Sequence, residues 1–330
     1  MRITGQGRPR RVSQADIARR AGVTQAAVSL ILRDKATTIP EETRQRVLAI
    51  AREMGYRADP LARRLAKGRS QLLGIFTYER VFGTAQRSLY HPFLLGIEEA
   101  AEESGNDLLL FTSAAMSGPV RSIYAGGENK LRLVDGAVLL GRDEIPADLE
   151  QLVAEEYPFV FIGRRFLDDG REVPNVSPDY RGAGRVLAGR IAALGHREIR
   201  YVGANFGLPA TADRLAGLRD GDLTVSESFP KLDEISPAFV RELRESGVTV
   251  VVAENVGYAE AVRAVAADLP IAVAGISEES EDDFWSGYGI PGRLVGRRAL
   301  EQLLAALDGG GTAISTVDCP QREGTTLTRA

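Results

Sequence analysis

Positive charge concentrated at the start of the chain is the feature of this sequence that most directly implies a chemistry. Residues 1–70 hold 16 Lys and Arg against 6 Asp and Glu, which gives this segment a net charge of +10. The remaining residues hold 25 against 39, which gives them a net charge of −14. A basic segment on an acidic body is typical of a protein whose first part meets a polyanion, although a merely solvated basic surface has the same composition.

A run of small, uncharged side chains lies inside the basic segment. A helix capped by Thr24 is predicted here, with Val28 and Ile31 on its apolar stripe. The other face of this helix carries Gln25, Ala26, Ala27 and Ser29. Such a face can enter the major groove of DNA without a steric clash. A generic three-helix bundle gives no reason for an exposed face of small, uncharged residues.

Residues with catalytic potential do not form a recognisable site. The chain has two histidines, His91 and His196, and one cysteine, Cys319, so intrachain disulfides and zinc sites built on cysteine pairs are excluded. The sequence contains no GxxxxGK[ST] phosphate loop, no GxGxxG after a strand and no GxSxG elbow. We interpret His196 as a capping or packing residue and His91 as a helix-start residue that could also contact a ligand. No catalytic residue, metal or cofactor is therefore predicted.

Three short helices are predicted to position the neutral face. Ser13 begins the first helix, with Asp16 placed for a capping box, and Gly22 ends it. A third helix opens at Pro40 and stops at Gly55. The first two helices are joined by a turn of three or four residues that contains glycine, which is the spacing of a helix-turn-helix motif.

Residues 58–70 follow this helical domain, which we assign to residues 12–57. Leu61 and Leu65 lie on one face at i, i+4, in a segment about two turns long that is marginal as an isolated helix. One interpretation is a linker with some helical tendency. The other is a hinge helix that folds on DNA and places Leu65 as an apolar wedge between base steps of the minor groove. Residues 1–11 are predicted to be a disordered tail.

The sequence changes character from residue 72 onward, where short apolar strands alternate with amphipathic helices. Near-continuous apolar strands separated by helices indicate parallel sheets covered on both faces. Two such series predict two sheets, with a ligand in the crevice at the carboxyl ends of their strands. The predicted helices include one over 92–104 and one near 121–134.

No apolar run reaches the roughly 18 residues that a membrane-spanning helix needs. The N-terminus lacks the apolar core of a signal peptide. A reduced, cytoplasmic protein is the simplest expectation from these features and from the single cysteine.

The N-terminal block resembles the LacI/GalR family of bacterial transcription regulators. The resemblance is carried by DIARRAGVTQAAVSLIL (16–32) and PEETRQRVLAIAREMGYRADPLARRLAKGRS (40–70), and it continues more weakly along the chain. It implies an α plus α/β architecture: a helix-turn-helix three-helix domain with a hinge helix, then a periplasmic-binding-protein-like sensor core. We assign the two α/β subdomains of this core to 71–167 with 290–317 and to 168–289 with 318–330.

The resemblance also implies a function. It describes a ligand-responsive transcription regulator, expected to be a repressor, that binds a near-palindromic double-stranded operator as a homodimer. A small molecule in the cleft between the subdomains, by default a sugar or sugar derivative, would set its DNA affinity as inducer or corepressor. No membrane partner is expected, and the protein would be cytoplasmic, on the nucleoid when bound to DNA. The alternative is a small-molecule-binding protein without operator-specific DNA binding, and a sugar-processing enzyme has no positive support.

The residues expected to contact DNA follow from the same resemblance. Gln25, Ala26 and Leu30 occupy the positions that read base edges, where Gln25 can offer a bidentate amide to adenine and the other two make only apolar contacts. Leu61 and Leu65 lie at the minor groove. The residues expected at phosphates, which position a protein without reading sequence, are Ser13, Thr24, Ser29 and Arg33.

Residue-by-residue matching also predicts the effector site. Phe93 and Phe229 would supply stacking faces, and Arg214 would bind hydroxyls or a carboxylate. The full predicted set is Phe93, Arg164, Asp179, Arg214, Phe229, Glu254, Asn255 and Ser277. For each of these, core packing or a surface ion pair is the competing interpretation.

The sequence departs from the family where an acidic residue commonly grips sugar hydroxyls. The usual Gly-Tyr/Phe-Asp-Asp is replaced by Gly275-Ile276-Ser277-Glu278, so that acid is missing or displaced to Glu278. Ligand identity is therefore not carried over. Arg164 and its neighbour Arg165 leave an acidic or phosphorylated ligand open.

We predict that Leu65→Ala weakens binding to operator DNA much more than binding to random DNA, because a wedge acts where the duplex is kinked at a particular step. The measurement is a pair of dissociation constants at one salt concentration. Equal losses on both DNAs would contradict a wedge.

Overall fold

The computed structural model of the chain describes residues 12–32, 39–56, 69–79, 87–114, 116–118, 120–204, 207–266, 269–278, 284–311 and 313–330. The chain divides into two compact units, Met1–Ser70 and Gln71–Ala330. The predicted tail at 1–11, Arg33, and the hinge residues Leu61 and Leu65 lie outside the described residues.

The first unit contains the three predicted helices: α1 (Gln14–Ala21), α2 (Gln25–Leu32) and α3 (Glu41–Glu53). The capping box is confirmed, because the Ser13 hydroxyl accepts a 3.3 Å hydrogen bond from the backbone of Asp16 while the Asp16 carboxylate accepts from the backbone of Ser13. Gly22 ends α1 in the left-handed conformation, with φ of 67°. One small core holds the three helices together, formed by Ile17, Ala18, Ala21, Val28, Ile31, Val47 and Ala51.

The second unit alternates strands and helices as predicted. Its first part runs β1 (Leu72–Thr77), α4 (Arg87–Glu103), β2 (Asp107–Phe111), β3 (Met116–Ser117), β4 (Val120–Arg121), β5 (Gly136–Leu140), α5 (Pro146–Ala154), β6 (Phe159–Ile162) and β7 (Asn175–Pro178). Its second part runs α6 (Tyr180–Ala193), β8 (Glu198–Val202), α7 (Pro209–Arg219), β9 (Thr224–Ser228), α8 (Pro237–Glu245), β10 (Val250–Ala253), α9 (Val256–Val265), β11 (Ala272–Glu278), β12 (Gly287–Ile290), α10 (Gly292–Leu307), β13 (Ile314–Val317) and β14 (Gln321–Arg322).

Two six-stranded sheets organise this unit. The first has the order β13-β7-β6-β5-β1-β2 with every pair parallel, and the second has the order β14-β12-β11-β10-β8-β9 with only β14 antiparallel. Helices α4 and α10 pack together beside the first sheet, and α6 and α7 pack together beside the second. The architecture of two parallel α/β subdomains is confirmed. Among the described residues, no helix combines the length and the apolarity that crossing a membrane requires.

Strand β7 shifts the first crossover between the sheets. The expected boundary lies between residues 167 and 168, but β7 pairs with β6 and β13 of the first sheet, so the chain leaves that sheet after Pro178. Its sequence, Asn-Val-Ser-Pro, has no apolar run to mark it, although all four residues are buried. Strand β7 lies between β6 and β13, so its polar side chains are buried although its sequence has no apolar run.

The predicted helix near 121–134 is wrong. This segment contains β4, a loop and a short 3₁₀ turn, Lys130–Leu133. The buried carboxylate of Asp148 accepts hydrogen bonds from the Ile123 backbone (2.7 Å) and the Ser122 hydroxyl (3.0 Å), which fixes an irregular backbone. A contact between residues more than 20 positions apart overrides the local helical pattern here.

His196 is a packing residue, as predicted, and it anchors the C-terminal segment. Its side chain is 2% exposed, with Nδ1 2.8 Å from the Thr249 hydroxyl and Nε2 2.7 Å from the carbonyl of Thr328. The ring therefore joins the start of the second sheet to the end of the chain.

Helices α4 and α10 approach each other backbone to backbone at two glycines. A Cβ on Gly96 would lie 1.8 Å from the carbonyl oxygen of Arg293, and one on Gly296 would lie 2.0 Å from that of Phe93. Any side chain at either position would force the helices apart, so both sites require glycine for packing rather than for backbone conformation.

We predict that Gly96→Ala and Gly296→Ala each lower the free energy of unfolding of the second unit by about 1–3 kcal/mol, the range for overpacked interiors. Gly189→Ala on α6 is the matched control, because a Cβ there meets no atom within 4 Å. It should leave stability unchanged or raise it by up to about 1 kcal/mol through helix propensity. Urea unfolding of the full chain measures all three, and equal effects would contradict the packing role.

Candidate functional site

Helix α2 presents the predicted neutral face to solvent. Gln25 and Ala26 are exposed and Leu30 is 41% exposed, while Val28 and Ile31 on the opposite face are buried against α1 and α3. One side of this eight-residue helix is therefore buried in the core, and the other side is accessible to solvent. The free side carries one amide and otherwise apolar or small groups.

The predicted phosphate contacts lie at the ends of these helices. The hydroxyls of Ser13 and Thr24 are both exposed and both cap a helix, since Thr24 accepts a 3.1 Å hydrogen bond from the backbone of Ala27. Helix N-termini concentrate free backbone N–H groups and favour anions. Ser29 is half-buried in the middle of α2.

Arg164 links the two α/β subdomains. It follows β6 at the carboxyl end of the first sheet, and its Nη1 lies 2.8 and 3.0 Å from the two carboxylate oxygens of Asp213 on α7, in the second subdomain. Its Nε and Nη2 bind Glu172 at 3.0 and 3.2 Å, and its guanidinium carbon lies 5.1 Å from the ring centroid of Phe166. Glu172 and Asp213 together raise the pKa of Arg164. The first subdomain thus holds this arginine in place, and the second subdomain meets it with one carboxylate.

Arg214, the next residue on α7, is buried in the second subdomain. We call the cluster of side chains around it, which includes Glu254, Tyr201 and Tyr288, the wall. Arg214 is 8% exposed, its Nη1 lies 2.8 Å from Oε1 of Glu254, and its guanidinium carbon lies 4.2 Å from the ring centroid of Tyr180. Burial alone would lower the pKa of Arg214, but the carboxylate of Glu254 opposes this and raises it. The arginine therefore stays charged and paired.

Glu254 is fixed on three sides. Besides Arg214, it accepts hydrogen bonds from the backbone of Ala204 (2.7 Å) and the hydroxyl of Thr211 (3.3 Å). A Cβ on Gly203 would lie 2.6 Å from its carboxylate, so glycine at the end of β8 makes room for it. The carboxylate consequently ties together the carboxyl ends of β8 and β10 and the start of α7.

Three polar atoms near Arg214 are buried without a hydrogen-bond partner in the described part of the chain: Nε of Arg214 itself and the hydroxyls of Tyr201 and Tyr288. Buried polar groups usually have a partner, and the Tyr201 hydroxyl lies close enough to Arg214 and Glu254 for both to affect its pKa. Burial also raises the pKa of the adjacent Cys319 to about 12, which keeps this thiol neutral. The wall is polar without being reactive.

Several predicted effector residues have structural roles. Helix α4 begins five residues before the expected start at Pro92, which places Phe93 in its second turn, buried in the hydrophobic core. Asp179 caps α6 by accepting from the backbone of Gly182 (2.9 Å), and Asn255 caps α9 by accepting from that of Tyr258 (3.1 Å). These three side chains are positioned for packing and capping.

Of the remaining candidates, Phe229 lies near the wall, and the side chain of Ser277 is outside the described part of the structure. Phe229 packs edge to face on Tyr201 of the wall, with ring centroids 6.4 Å apart. Ser277 lies on β11, and its side chain and that of Glu278 are outside the described part of the structure. The second subdomain therefore pairs Arg214 with Glu254 and places Phe229 against Tyr201.

Arg165 cannot serve as a free cation for an acidic ligand. It is 5% exposed, its Nε lies 2.5 Å from Glu144, its Nη2 donates to the carbonyl of Gly141 at 2.5 Å, and its guanidinium stacks 4.6 Å from the ring centroid of Phe161. These contacts make it a structural tie at the carboxyl end of the first sheet.

Glu79 and Tyr90 form a further polar cluster that the sequence did not reveal. Glu79 follows β1 and accepts hydrogen bonds from the Tyr90 hydroxyl and from the backbone of Arg142 (2.6 Å) and Asp143 (3.0 Å). Glu79 lies at the carboxyl end of the first sheet, as Glu254 lies at that of the second. The sequence predicted that helix α4 starts at Pro92, which left Tyr90 outside it. In the structure the helix starts at Arg87, so Tyr90 lies on α4 and its hydroxyl reaches Glu79.

The chain resembles known proteins in sequence over its first unit and in fold over nearly its whole length. Residues 14–59 match the family described as "Bacterial regulatory proteins, lacI family". The chain is 33% identical over 215 residues to the sucrose operon repressor of Klebsiella pneumoniae, a match that covers 64% of this chain and 61% of that protein. The chain therefore aligns with less than two thirds of that relative's length.

Solved structures share the fold across nearly the whole chain. The lac repressor dimer bound to operator and the anti-inducer ONPF superposes with a TM-score of 0.69 at 18% identity, covering 97% of this chain and 100% of that one. The complex of the transcriptional regulator CelR with cellobiose gives a TM-score of 0.61 at 22% identity, covering 96% and 100%. At these identities the likeness concerns the fold alone. The relatives are transcriptional regulators rather than enzymes.

We predict that Arg164 and Asp213 are energetically coupled. In a double-mutant cycle with Arg164→Gln and Asp213→Asn, the interaction free energy in unfolding should be about 0.5–3 kcal/mol, as for partners in one network. The control cycle uses Arg219 and Glu227, a pair 2.5 Å apart whose side chains are 49% and 40% exposed. Exposed pairs contribute less than about 1 kcal/mol. A coupling no larger than the control's would remove Arg164 as a tie between the subdomains.

Proposed function

We propose that the chain is a regulator of the LacI family, because residues 14–59 match the model of that family and a curated repressor aligns with 215 residues at 33% identity. It is a ligand-responsive transcription regulator, acting as a repressor, that binds a near-palindromic operator as a homodimer. A small molecule between the α/β subdomains sets its DNA affinity. The observation that carries this proposal is the exposed, neutral face of α2 inside a unit with a net charge of +10 from 16 Lys and Arg against 6 Asp and Glu.

The face of α2 supports direct reading of the major groove. The amide of Gln25 can bind adenine in a bidentate manner, and Ala26 and Leu30 can contact thymine methyl groups. The helical domain of residues 12–57, which we call the head, is positioned on the phosphates by Ser13, Thr24, Ser29 and Arg33. With one amide on the reading face, a share of the specificity falls to the hinge residues Leu61 and Leu65 and to the deformability of the operator.

The homodimer follows from the size of the reading element. A helix of eight residues can reach only a few base pairs, and helix-turn-helix proteins reach adequate specificity by pairing two half-sites related by a two-fold axis. The lac repressor, which shares this fold, is described as a dimer bound to operator. The protein would accordingly act in the cytoplasm, on the nucleoid.

A sugar or sugar derivative is the proposed effector. Relatives of this chain are named for sucrose and described in complex with cellobiose. The wall, with Phe229 packed against its Tyr201, offers hydrogen-bonding groups next to an aromatic ring, a combination that suits a sugar. The acid that the family uses is missing from this chain or displaced to Glu278, and among the described carboxylates Glu254 is our candidate to meet hydroxyls.

The proposed coupling is a two-state change. Ligand alters the angle between the subdomains, and this angle sets the spacing of the two hinge segments across the dimer. A ligand shifts DNA affinity only as far as its affinities for the two states differ. The Arg164–Asp213 pair, which joins the subdomains in the described state, would form or break as they move.

We predict that Gln25→Ala weakens operator binding by about 1–3 kcal/mol, roughly 5- to 150-fold, because it removes a bidentate base contact, while binding to random DNA changes little. Gln45→Ala is the matched control, since Gln45 is exposed on α3 and pairs with Glu41 at 2.6 Å. Fluorescence anisotropy on a duplex that the protein itself selects from a random library measures both.

A failure of the protein to enrich any two-fold-symmetric sequence would contradict the proposal. It would favour a small-molecule-binding protein without operator-specific DNA binding.

A further inference from the structure

We propose that the cleft selects uncharged, hydroxyl-rich ligands and rejects anionic ones, phosphorylated sugars included, with Asp213 and Glu254 as the residues that set this selectivity. The inference rests on the proposed function only in taking the cleft between the subdomains as the effector site. It resolves the choice between neutral and acidic ligands that Arg164 and Arg165 leave open in the sequence.

Two guanidinium groups at the carboxyl ends of the first sheet, those of Arg164 and Arg165, are already paired with carboxylates. Arg164 binds Glu172 through two nitrogens and Asp213 through a third, at 2.8–3.2 Å. Arg165 binds Glu144 at 2.5 Å and is 5% exposed. The bidentate pair of Arg164 with Glu172 satisfies the fork of donors that an incoming phosphate would use. The remaining nitrogens of Arg165 donate to the carbonyls of Arg164 and Gly141. A phosphate would therefore have to displace a carboxylate held in place by the protein.

Arg214 of the second subdomain is also paired with a carboxylate, through one nitrogen. Arg214 binds Glu254 at 2.8 Å, and the side chains of the pair are 9% and 10% exposed. The carboxylate is itself anchored by the backbone of Ala204 at 2.7 Å. An anion that bound Arg214 would have to displace Glu254. Because the pair is buried, the displaced carboxylate would then lack a compensating cation, which is costly.

Carboxylates outnumber guanidiniums in these clusters. Four carboxylates surround three arginines, and the list of carboxylates is Glu144, Glu172, Asp213 and Glu254. An anion entering between them would meet like charge at close range in a partly desolvated site, which opposes binding. A neutral ligand meets no such opposition.

Hydroxyl groups suit the polar atoms that remain. Nε of Arg214 can only donate, whereas the hydroxyls of Tyr201 and Tyr288 can donate or accept, and all three are buried without a partner among the described residues. A hydroxyl both donates and accepts, while a phosphate or carboxylate only accepts. Because these atoms have almost no exposed surface, a sugar hydroxyl can serve both kinds of group through a bridging water.

The test compares anion binding by the wild type with binding by variants in which one guanidinium is released. Asp213→Asn releases one partner of Arg164, and Glu254→Gln releases Arg214; each keeps the shape of the side chain. Asp220→Asn is the matched control, because it releases Arg181 and Arg185 on an exposed face at the end of the same helix. The probes are inorganic phosphate and glucose 6-phosphate, each against chloride at equal ionic strength.

Thermal-shift titrations report binding, since a ligand of the folded state raises the melting temperature. The wild type and Asp220→Asn should show no rise specific to either anion. At least one of the two cleft variants should bind glucose 6-phosphate with an affinity at least about tenfold above the wild type's, a clear step on the affinity scale. Asp213→Asn preserves the test if Glu254→Gln fails to fold.

Anion-specific stabilisation of the wild type, or no gain in both folded cleft variants, overturns the inference. A parallel screen of uncharged sugars, including sucrose and cellobiose, should contain at least one that stabilises the wild type more than its phosphorylated form does, and the reverse order also overturns it. Operator binding is measured on the same preparations. Loss of operator selection would count against the proposed function and leave the comparison of anions intact.

Discussion

Two consecutive side chains on α7 connect the parts of the sensor unit. Asp213 reaches Arg164 in the first subdomain at 2.8 Å, and Arg214 turns inward to Glu254 at 2.8 Å. A helix holds neighbouring side chains about 100° apart, so a shift of α7 that alters one pair alters the other. In the proposed function, a ligand that contacts Arg214 or Glu254 would therefore act directly on the contact between the subdomains.

The helical head depends on a different constraint, which is the small size of its core. Seven buried side chains hold three short helices together, and caps at Ser13 and Gly22 define where α1 begins and ends. Because α2 commits Val28 and Ile31 to that core, its remaining face has only a few positions to offer to DNA. A face with one amide gives modest sequence discrimination by itself, and this increases the importance of whatever joins the head to the sensor.

The sequence predicts those features that local residues determine. Capping residues located the helices of the head, and apolar runs such as Leu72–Thr77 and Val250–Ala253 located the central strands. It failed where distant residues decide the local structure. Asp148 holds the segment after β4 in a loop, neighbouring strands bury the polar residues of β7, and the start of α4 lies before the proline that suggested it. The ion pairs of the cleft were likewise beyond prediction, because Arg164 and Asp213 are 49 positions apart.

The central claim is that ligand binding and DNA binding are coupled in one molecule. The most direct measurement is the dissociation constant of the selected operator duplex at fixed salt, with and without a saturating concentration of an uncharged sugar that stabilises the protein. The coupling should change this constant by about 5- to 150-fold in one direction, which corresponds to about 1–3 kcal/mol. An unchanged constant in the presence of a sugar shown to be bound would contradict the account.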